Sequence, residues 1–535
     1  MSEESSGSSG SPESAAAGTE EGHSPGATGG AHGGRTTAPV APPDAQLIAT
    51  LRDALTAGRY TVDAVNDRLG PVGQAALGRN HTLPGSHALG SDDDPQATLI
   101  RLWPLQSEVS TAAVERALPG MLDALVTAGV LHRDGDRIRS AVDLAPYDGD
   151  DGTAGWIVSD HTPGMDGRID EVGDDYVLGV SSASVTLAQI AARNPVGRAL
   201  DLGSGCGVQS LHLARHADHV VATDLNRRAV TAAAWTFALN DVAVELRHGD
   251  LWQPVAGETF DQVISNPPYV MSPPGTAHLT YRESSLPGDD LVRTVALGAA
   301  DRLNPGGTAQ VLANWIHPAD GDWRERLAGW FTGSGCAVHV VQREVLDPAE
   351  YAEMWLLDAG LQGGPRYRAA YEQWLRHLAS TGVAGIGMGW ILLYRSESDD
   401  PDVTIEHWPS PVAQPVGDAL AQRPGQLAVA VRPDDQLLGT RLTLADDVLT
   451  ETLGPPGAAD PSAIVLVQHR GLCRRVQVDT ALAGVVGACD GELAVGQLIA
   501  AVAGLLDEDE TAVTHRLLPR LRELISYGML IGGPA

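Results

Sequence analysis

Residues 199–209 read Ala199-Leu200-Asp201-Leu202-Gly203-Ser204-Gly205-Cys206-Gly207-Val208-Gln209. An apolar run holding one acid passes into alternating glycines, then into a helical stretch through Leu211 and Leu213. That is a strand, a tight turn and a helix, the repeating unit of a parallel α/β sheet. Glycine has no Cβ, so the backbone of such a turn can pass close to a bound molecule. The spacing is G-x-G-x-G, not the G-x-G-x-x-G of dinucleotide binders, which argues against a pyrophosphate cradle. A tight turn with no ligand is the plain alternative.

Working outward, the next strand, Val220-Val221-Ala222-Thr223, ends on Asp224-Leu225-Asn226. An acid at a strand end is commonly a helix cap. After a glycine loop it is also placed to accept hydrogen bonds from both hydroxyls of a ribose. His248-Gly249-Asp250-Leu251 follows the third strand. There Asp250 can receive an adenine amino hydrogen while Leu251 packs on the ring, although Gly-Asp alone is a common turn. Seven strands are predicted, at Ala199–Leu202, His219–Thr223, Val242–Arg247, Phe260–Ser265, Thr308–Asn314, Ala337–Arg343 and Gly389–Tyr394. Helical segments separate most of them, the signature of a parallel sheet.

The fourth strand, Phe260-Asp261-Gln262-Val263-Ile264-Ser265, runs into Asn266-Pro267-Pro268-Tyr269. Two consecutive prolines neither continue a strand nor enter a helix interior, so they set a rigid turn. In open α/β sheets, ligands bind outside the carboxyl ends of the strands. A carboxamide, two ring-locked residues and an aromatic ring are therefore held where a substrate would sit. The arrangement suits a grip on a planar nitrogen nucleophile.

In this order and spacing, the glycine loop, Asp224, Gly249-Asp250-Leu251 and Asn266-Pro267-Pro268-Tyr269 resemble the class I S-adenosylmethionine-dependent methyltransferases. The resemblance covers residues from roughly 155 to 395. It implies a Rossmann-like, seven-stranded α/β domain whose last strand runs antiparallel. It implies S-adenosyl-L-methionine as cofactor, held by Asp201, Gly203, Ser204, Gly205, Gly207, Asp224, Leu225, Asp250, Leu251 and Asn266. It also implies a catalytic turn made of Asn266, Pro267, Pro268 and Tyr269. The Asn266 oxygen and the Pro267 carbonyl would each accept one N–H bond from the nucleophile, localising its lone pair. Tyr269 would stack on the flat group, and no strong general base is required. Upstream, Tyr176-Val177-Leu178-Gly179-Val180-Ser181-Ser182-Ala183-Ser184 would lie near the methionine end of the cofactor, or else simply cap and pack.

The Asn-Pro-Pro-Tyr form is similar to the amino-group subset of that class. The subset includes release-factor glutamine methyltransferases of the HemK type, the related eukaryotic release-factor enzymes, and adenine or guanine N-methyltransferases of nucleic acids. Tyr281-Arg282-Glu283-Ser284-Ser285-Leu286-Pro287-Gly288-Asp289-Asp290-Leu291 looks like the segment that follows the motif in small-domain and HemK-type enzymes. It departs from their usual Gly-Gly-x-Asp-Gly. The implied partner is a methyl-acceptor macromolecule, either a protein (a release factor among the candidates) or a nucleic acid. A non-catalytic binding protein that keeps the fold is the alternative from another class, and intact Asp201, Asp224 and Asn266 speak against it. A nicotinamide oxidoreductase is disfavoured by the glycine spacing and the tetrapeptide.

The composition bears on the acceptor. Thirty-six basic and 68 acidic residues give a net charge of -32, and every basic residue is Arg. Nucleic-acid affinity comes largely from basic residues that release counterions, so the acidity tilts the expectation toward a protein glutamine. Adenine or guanine in rRNA or DNA is the alternative, favoured if Arg474 and Arg475 cluster beside the active-site mouth. The four cysteines, Cys206, Cys336, Cys473 and Cys489, form no C-x-x-C pair. That suggests a reduced, cytoplasmic setting without structural metal. No segment has the ~18 apolar residues of a membrane span.

The chain divides by composition into four parts. Residues 1–44 are Ser, Gly, Glu, Ala and Pro, a disordered tail. Residues 45–150 read as helices, with Leu47, Leu51 and Leu55 at helical spacing. A further helix over Thr111–Ala128 leads into a strand, an Asp-Gly turn and a strand, similar to a small winged-helix unit. Residues 153–398 hold the α/β domain. After a polar linker at Ser396–Asp402, residues 403–535 form a further domain, with a helix from Asp490 through Leu505 and another through Leu524. Its end is again winged-helix-like. His212, His216 and His219 read as solvated helix-end residues. Tyr367, Tyr371 and Trp374 read as a core stripe, or else as substrate cover.

Overall fold

Strands β1 (Val196–Leu202), β2 (Ala217–Asp224), β3 (Glu245–His248), β4 (Phe260–Ser265), β5 (Leu303–Pro318), β6 (Cys336–Leu346), β7 (Val383–Arg395) and β8 (Val403–His407) form one sheet. Their order is β8-β6-β7-β5-β4-β1-β2-β3. The computed structural model describes residues 40–168, 172–275, 281–283, 286–361, 363–396, 402–457 and 461–532. Residues 1–39 of the expected tail, 397–401 of the expected linker, and Ser284-Ser285 lie outside the described residues.

The five strands from β3 to β5 are parallel to their neighbours. β7 runs antiparallel between β5 and β6, as the resemblance implies. The central strands carry apolar residues toward both faces, because helices cover both sides. Leu200, Val221, Phe260, Val263 and Val311 are buried on one face, and Ala199, Val220, Ile264 and Leu312 on the other. The sheet has eight strands where seven were predicted. The additional one, β8, pairs parallel with β6 from Val338↔Val403 to Gln342↔His407. Its sequence, Val403-Thr404-Ile405-Glu406-His407, is short and half polar. It follows the linker directly, and edge strands are permitted that composition.

The N-terminal unit packs on the sheet's helical layer. Trp235 and Leu239, on the helix Arg227–Asn240, belong to the same core as Leu51, Leu55, Leu99 and Leu125. Residues 40–44, read as part of the tail, are tied down. Val40 is buried, and Ala41 donates its N–H to the Ala128 carbonyl while its own carbonyl accepts the Trp235 indole N–H at 2.7 Å. The helix expected over Thr111–Ala128 is two helices, Thr111–Ala117 and Leu122–Thr127. Pro119 lacks an N–H and Gly120 sits at φ 67°, which together end the first. Leu131–Asp134, Arg137–Ser140 and Val109–Ser110 complete a three-stranded wing.

The C-terminal unit has its own core around Leu482, Val485, Ile499, Leu521 and Leu524. Its expected helix from Asp490 starts as a strand, Asp490–Ala494, paired with Arg441–Leu444; the helix proper is Val495–Leu506. Among the described residues no helix is long and apolar enough to cross a membrane.

Candidate active site

The glycine turn begins where β1 ends. Gly203 and Ser204 both donate their backbone N–H to the Thr223 carbonyl on β2, at 2.9 and 3.0 Å. Gly203, Gly205 and Gly207 have φ of 78°, 54° and 87°, a region that L side chains rarely enter. A Cβ on Gly207 would lie 2.6 Å from the Phe237 ring, so this glycine is needed for packing. Cβ atoms on Gly203 or Gly205 would meet nothing within 4 Å. The space over the first half of the turn is open, as a ligand cradle requires. The Ser204 hydroxyl borders that turn, is buried, and has no hydrogen-bond partner among the described residues. Buried hydroxyls are normally satisfied, so an orphan here fits a ligand that supplies the missing bond.

The Asp224 carboxylate is the hub of the adjoining strand end. One oxygen accepts the Gly205 N–H and the other the Asn226 N–H, both at 2.8 Å. The Asp224 carbonyl also takes the Gly249 N–H at 3.0 Å. One residue thus fixes the glycine turn, its own turn and the Gly249-Asp250 turn. Each carboxylate oxygen keeps acceptor capacity for a further hydroxyl. Leu225 and Asp250 are exposed beside it, and Asp250 makes no side-chain hydrogen bond among the described residues. Leu251 has φ 44° and packs against the sheet's core.

Asp201 lies beneath the turn. It is 1% exposed and accepts the Ser210 hydroxyl at 2.7 Å. Burial pushes its carboxyl up to about 7, against the lowering effect of that hydrogen bond. Its contact joins β1 to the helix Val208–Leu213, which makes it a brace for the loop.

The Asn266-Pro267-Pro268-Tyr269 turn leaves the carboxyl end of β4, next to β1. Leu202 and Ser265 are directly opposed in that pairing. Among the described residues, neither the Asn266 carboxamide nor the Pro267 carbonyl has a hydrogen-bond partner. A half-buried amide and a carbonyl, both with free acceptor capacity, therefore stand beside the glycine turn. Tyr269 is half-buried and meets the Trp355 ring edge-on at 6.5 Å between centroids. Burial pushes its phenol up to about 12, so it stays neutral.

The insert between β6 and β7 builds the outer wall of this turn. Its helix Pro348–Asp358 places Tyr351 so that the phenol oxygen accepts the Met271 N–H at 3.1 Å and the Asn314 amide N–H at 2.8 Å. Tyr351 and Asn314 are fully buried. Arg282, also buried, lies over the Trp355 ring and pairs with Asp358 and Glu283. Tyr281 contacts Tyr176, 5.3 Å between centroids. Tyr351, Trp355 and Asn314 were not singled out from sequence. The signal available was the Trp/Tyr-rich insert itself.

Other singled-out residues resolve by packing. Ser181 caps the helix Ser182–Ile190 in a capping box with Ser184. His212 is buried, not solvated. Its Nδ1 bonds Asp151 at 2.8 Å and its Nε2 bonds the Tyr147 hydroxyl at 2.7 Å. Trp374 is a core residue against Tyr351, and Tyr371 bonds Glu353. Arg474 is tied to Glu406 on β8, and Arg475 to Glu451 on the strand Val448–Leu453.

An open glycine turn, a strand-end acid and an Asn-Pro turn without partners among the described residues stand on adjoining parallel strands, the arrangement expected from the resemblance to class I S-adenosylmethionine-dependent methyltransferases. Residues 179–321 match the methyltransferase small domain family, and residues 57–141 and 423–532 match two families described only as domains of unknown function. The ribosomal RNA small subunit methyltransferase C of Alcanivorax borkumensis is 33% identical over 118 residues, 22% of this chain and 32% of that protein. Its Escherichia coli counterpart is 31% identical over 142 residues, 26% of this chain and 38% of that protein. The chain thus spans about a third of the length of these relatives. Among solved structures, a T. thermophilus 16S rRNA N2 methyltransferase in complex with AdoMet and guanosine is 16% identical. It covers 57% of this chain and 70% of its own, with a TM-score of 0.27. A Pyrococcus furiosus methyltransferase is 15% identical over 39% and 80%, with a TM-score of 0.23.

Proposed function

We propose that this chain is a cytoplasmic enzyme that methylates an exocyclic amine of a purine base in small-subunit ribosomal RNA. The observation that carries the reading is the Asn266 carboxamide and Pro267 carbonyl, without partners among the described residues, beside the open glycine turn. The ribosomal RNA acceptor rests on the names of the relatives over the matched region. They support RNA over the protein glutamine that the acidic composition suggested. The cationic patch imagined at Arg474 and Arg475 does not contribute, because both are paired elsewhere.

S-adenosylmethionine, when bound, supplies an activated methyl on a sulfonium. Asp224 would hold the ribose hydroxyls, Ser204 would give its hydroxyl to the cofactor, and Asp250 with Leu251 would frame the adenine. At the acceptor, the Asn266 oxygen and the Pro267 carbonyl each take one N–H of the amine. Its lone pair is thereby freed from the ring and aimed at the methyl, and the developing positive charge on nitrogen is stabilised. Tyr269, backed by Trp355, offers a ring for the base to stack on. The nitrogen would gain the methyl by cleavage of the sulfonium S–CH3 bond of bound S-adenosylmethionine, the electron pair staying on sulfur as a neutral thioether, and the methylated nitrogen would give up one proton to water. In-line placement supplies the acceleration, so no buried base is needed.

Incubation with radiolabelled S-adenosylmethionine and a cell lysate, followed by nuclease or protease, tests the acceptor class. Release of label by nuclease supports the proposal. Release by protease alone overturns it.

A further inference from the structure

A cavity of about 610 Å³ lies between the outer edge of the sheet and the C-terminal unit. It is remote in the strand order from the glycine turn, because β6 and β8 form the opposite edge. Its inner wall carries Arg423, on the helix Arg423–Ala430, and His339 on β6. We infer that this cavity binds a small organic anion, whose carboxylate or phosphate pairs with the Arg423 guanidinium.

On the inner wall Glu406 and Arg474 pair directly, while Arg423 makes a single hydrogen bond among the described residues. The two oxygens of Glu406, on β8, accept from Arg474 at 2.6 and 2.8 Å, and one also accepts His339 Nε2 at 2.5 Å. The Arg474 guanidinium sits over both the Trp408 and the Tyr527 rings, at 4.7 and 4.2 Å. Those two charges cancel in a closed latch. His339 is 1% exposed and donates through Nε2 to a carboxylate, and burial pushes it down to about 4, so it is neutral. Its Nδ1 has no partner.

Arg423 is attracted by Glu406 and Asp402 but makes no direct hydrogen bond to either among the described residues. It is 9% exposed, and its only hydrogen bond among the described residues goes to the Thr404 hydroxyl at 2.8 Å. The nearest acid along that path, Asp402, is exposed and reaches it only through the same hydroxyl. A guanidinium has five N–H donors, so Arg423, which lines the cavity, keeps donors beyond the one given to Thr404. An oxyanion would supply both the partner and the acceptors.

The rest of the lining sets the class of ligand. Leu420, Leu472 and Ile531 give an apolar wall for a carbon body. The volume falls in the ~300–1,000 Å³ range of small-molecule sites. Asp418, Asp446 and Asp447 line the outer part, with Asp446 paired to Arg470 and Asp447 accepting the Arg470 N–H. That acidic rim disfavours a polynucleotide and admits a ligand with a single anionic group.

The test uses the full chain at constant ionic strength, with inorganic phosphate and succinate as probes that separate the two oxyanion types. At least one should bind saturably by calorimetry and raise the melting temperature, with saturating S-adenosylmethionine present or absent. Arg423→Met should weaken that binding at least tenfold and, in anion-free buffer, melt no lower than the parent. Failure of both probes to bind, unchanged binding by Arg423→Met, or a lower melting temperature for that variant without anion would each overturn the inference.

Discussion

The Ser265 hydroxyl donates to the Leu202 carbonyl at 2.8 Å, joining the last residues of two adjacent parallel strands. One strand releases the glycine turn and the other the Asn-Pro-Pro-Tyr turn. Both residues are buried. The bond therefore sets the spacing between the two halves of the site. Ser265→Ala removes it, at a cost of about 1 kcal/mol. The expected result is a small drop in melting temperature and a larger drop in turnover, with S-adenosylmethionine affinity little changed.

Ser204 should behave in the opposite way. Its hydroxyl is buried and unpartnered without ligand, so Ser204→Ala removes a desolvation penalty from the free protein. The melting temperature of that variant should stay level or rise. Its S-adenosylmethionine dissociation constant should increase by roughly 2- to 10-fold, the value of one hydrogen bond. Titration calorimetry on both proteins reads this directly.

Asp201 gives a pH dependence. Burial raises its carboxyl to about 7 in the folded chain, while the unfolded chain has the ordinary value near ~4. Between these values the folded state holds the extra proton, so stability is full below pH ~4 and falls as pH rises through about 7. Asp201→Asn keeps an acceptor for Ser210 and removes the charge. At pH 8 it should melt higher than the parent, by up to a few kcal/mol of stability. The parent's decline between pH 5 and 8 should flatten.

Tyr351 links the insert to the catalytic turn by accepting from Met271 and Asn314. Tyr351→Phe leaves two buried donors without an acceptor. Turnover should fall about tenfold at saturating acceptor, with S-adenosylmethionine affinity retained, since the glycine turn is untouched. Equal losses in both would mean a general structural role.

The parts legible in the sequence are those set by short-range chemistry. Glycine spacing, strand-end acids and the proline pair depend on residues a few positions apart, and the structure brings all of them to adjoining strand ends. Longer-range features were hidden. β8 is too short and polar to announce itself, and only pairing with β6 makes it a strand. Pro119-Gly120 carries a legible helix break, yet the leucine periodicity across it gives the stronger signal. His212 is buried because Asp151 and Tyr147, far from it in sequence, meet its two nitrogens. The brace at Ser265, the anchor at Tyr351 and the orphan hydroxyl of Ser204 are relations between strands and inserts, which no local pattern encodes.

In the proposed reaction the Asn266 carboxamide grips a base amine while the glycine turn holds the methyl donor. Its most direct test is methyl transfer to protein-free small-subunit ribosomal RNA by the parent and by Asn266→Ala, with S-adenosylmethionine binding measured on both. The parent should yield a purine methylated on its exocyclic nitrogen, and the variant none, at equal cofactor affinity. Near-normal turnover by Asn266→Ala would contradict the claim.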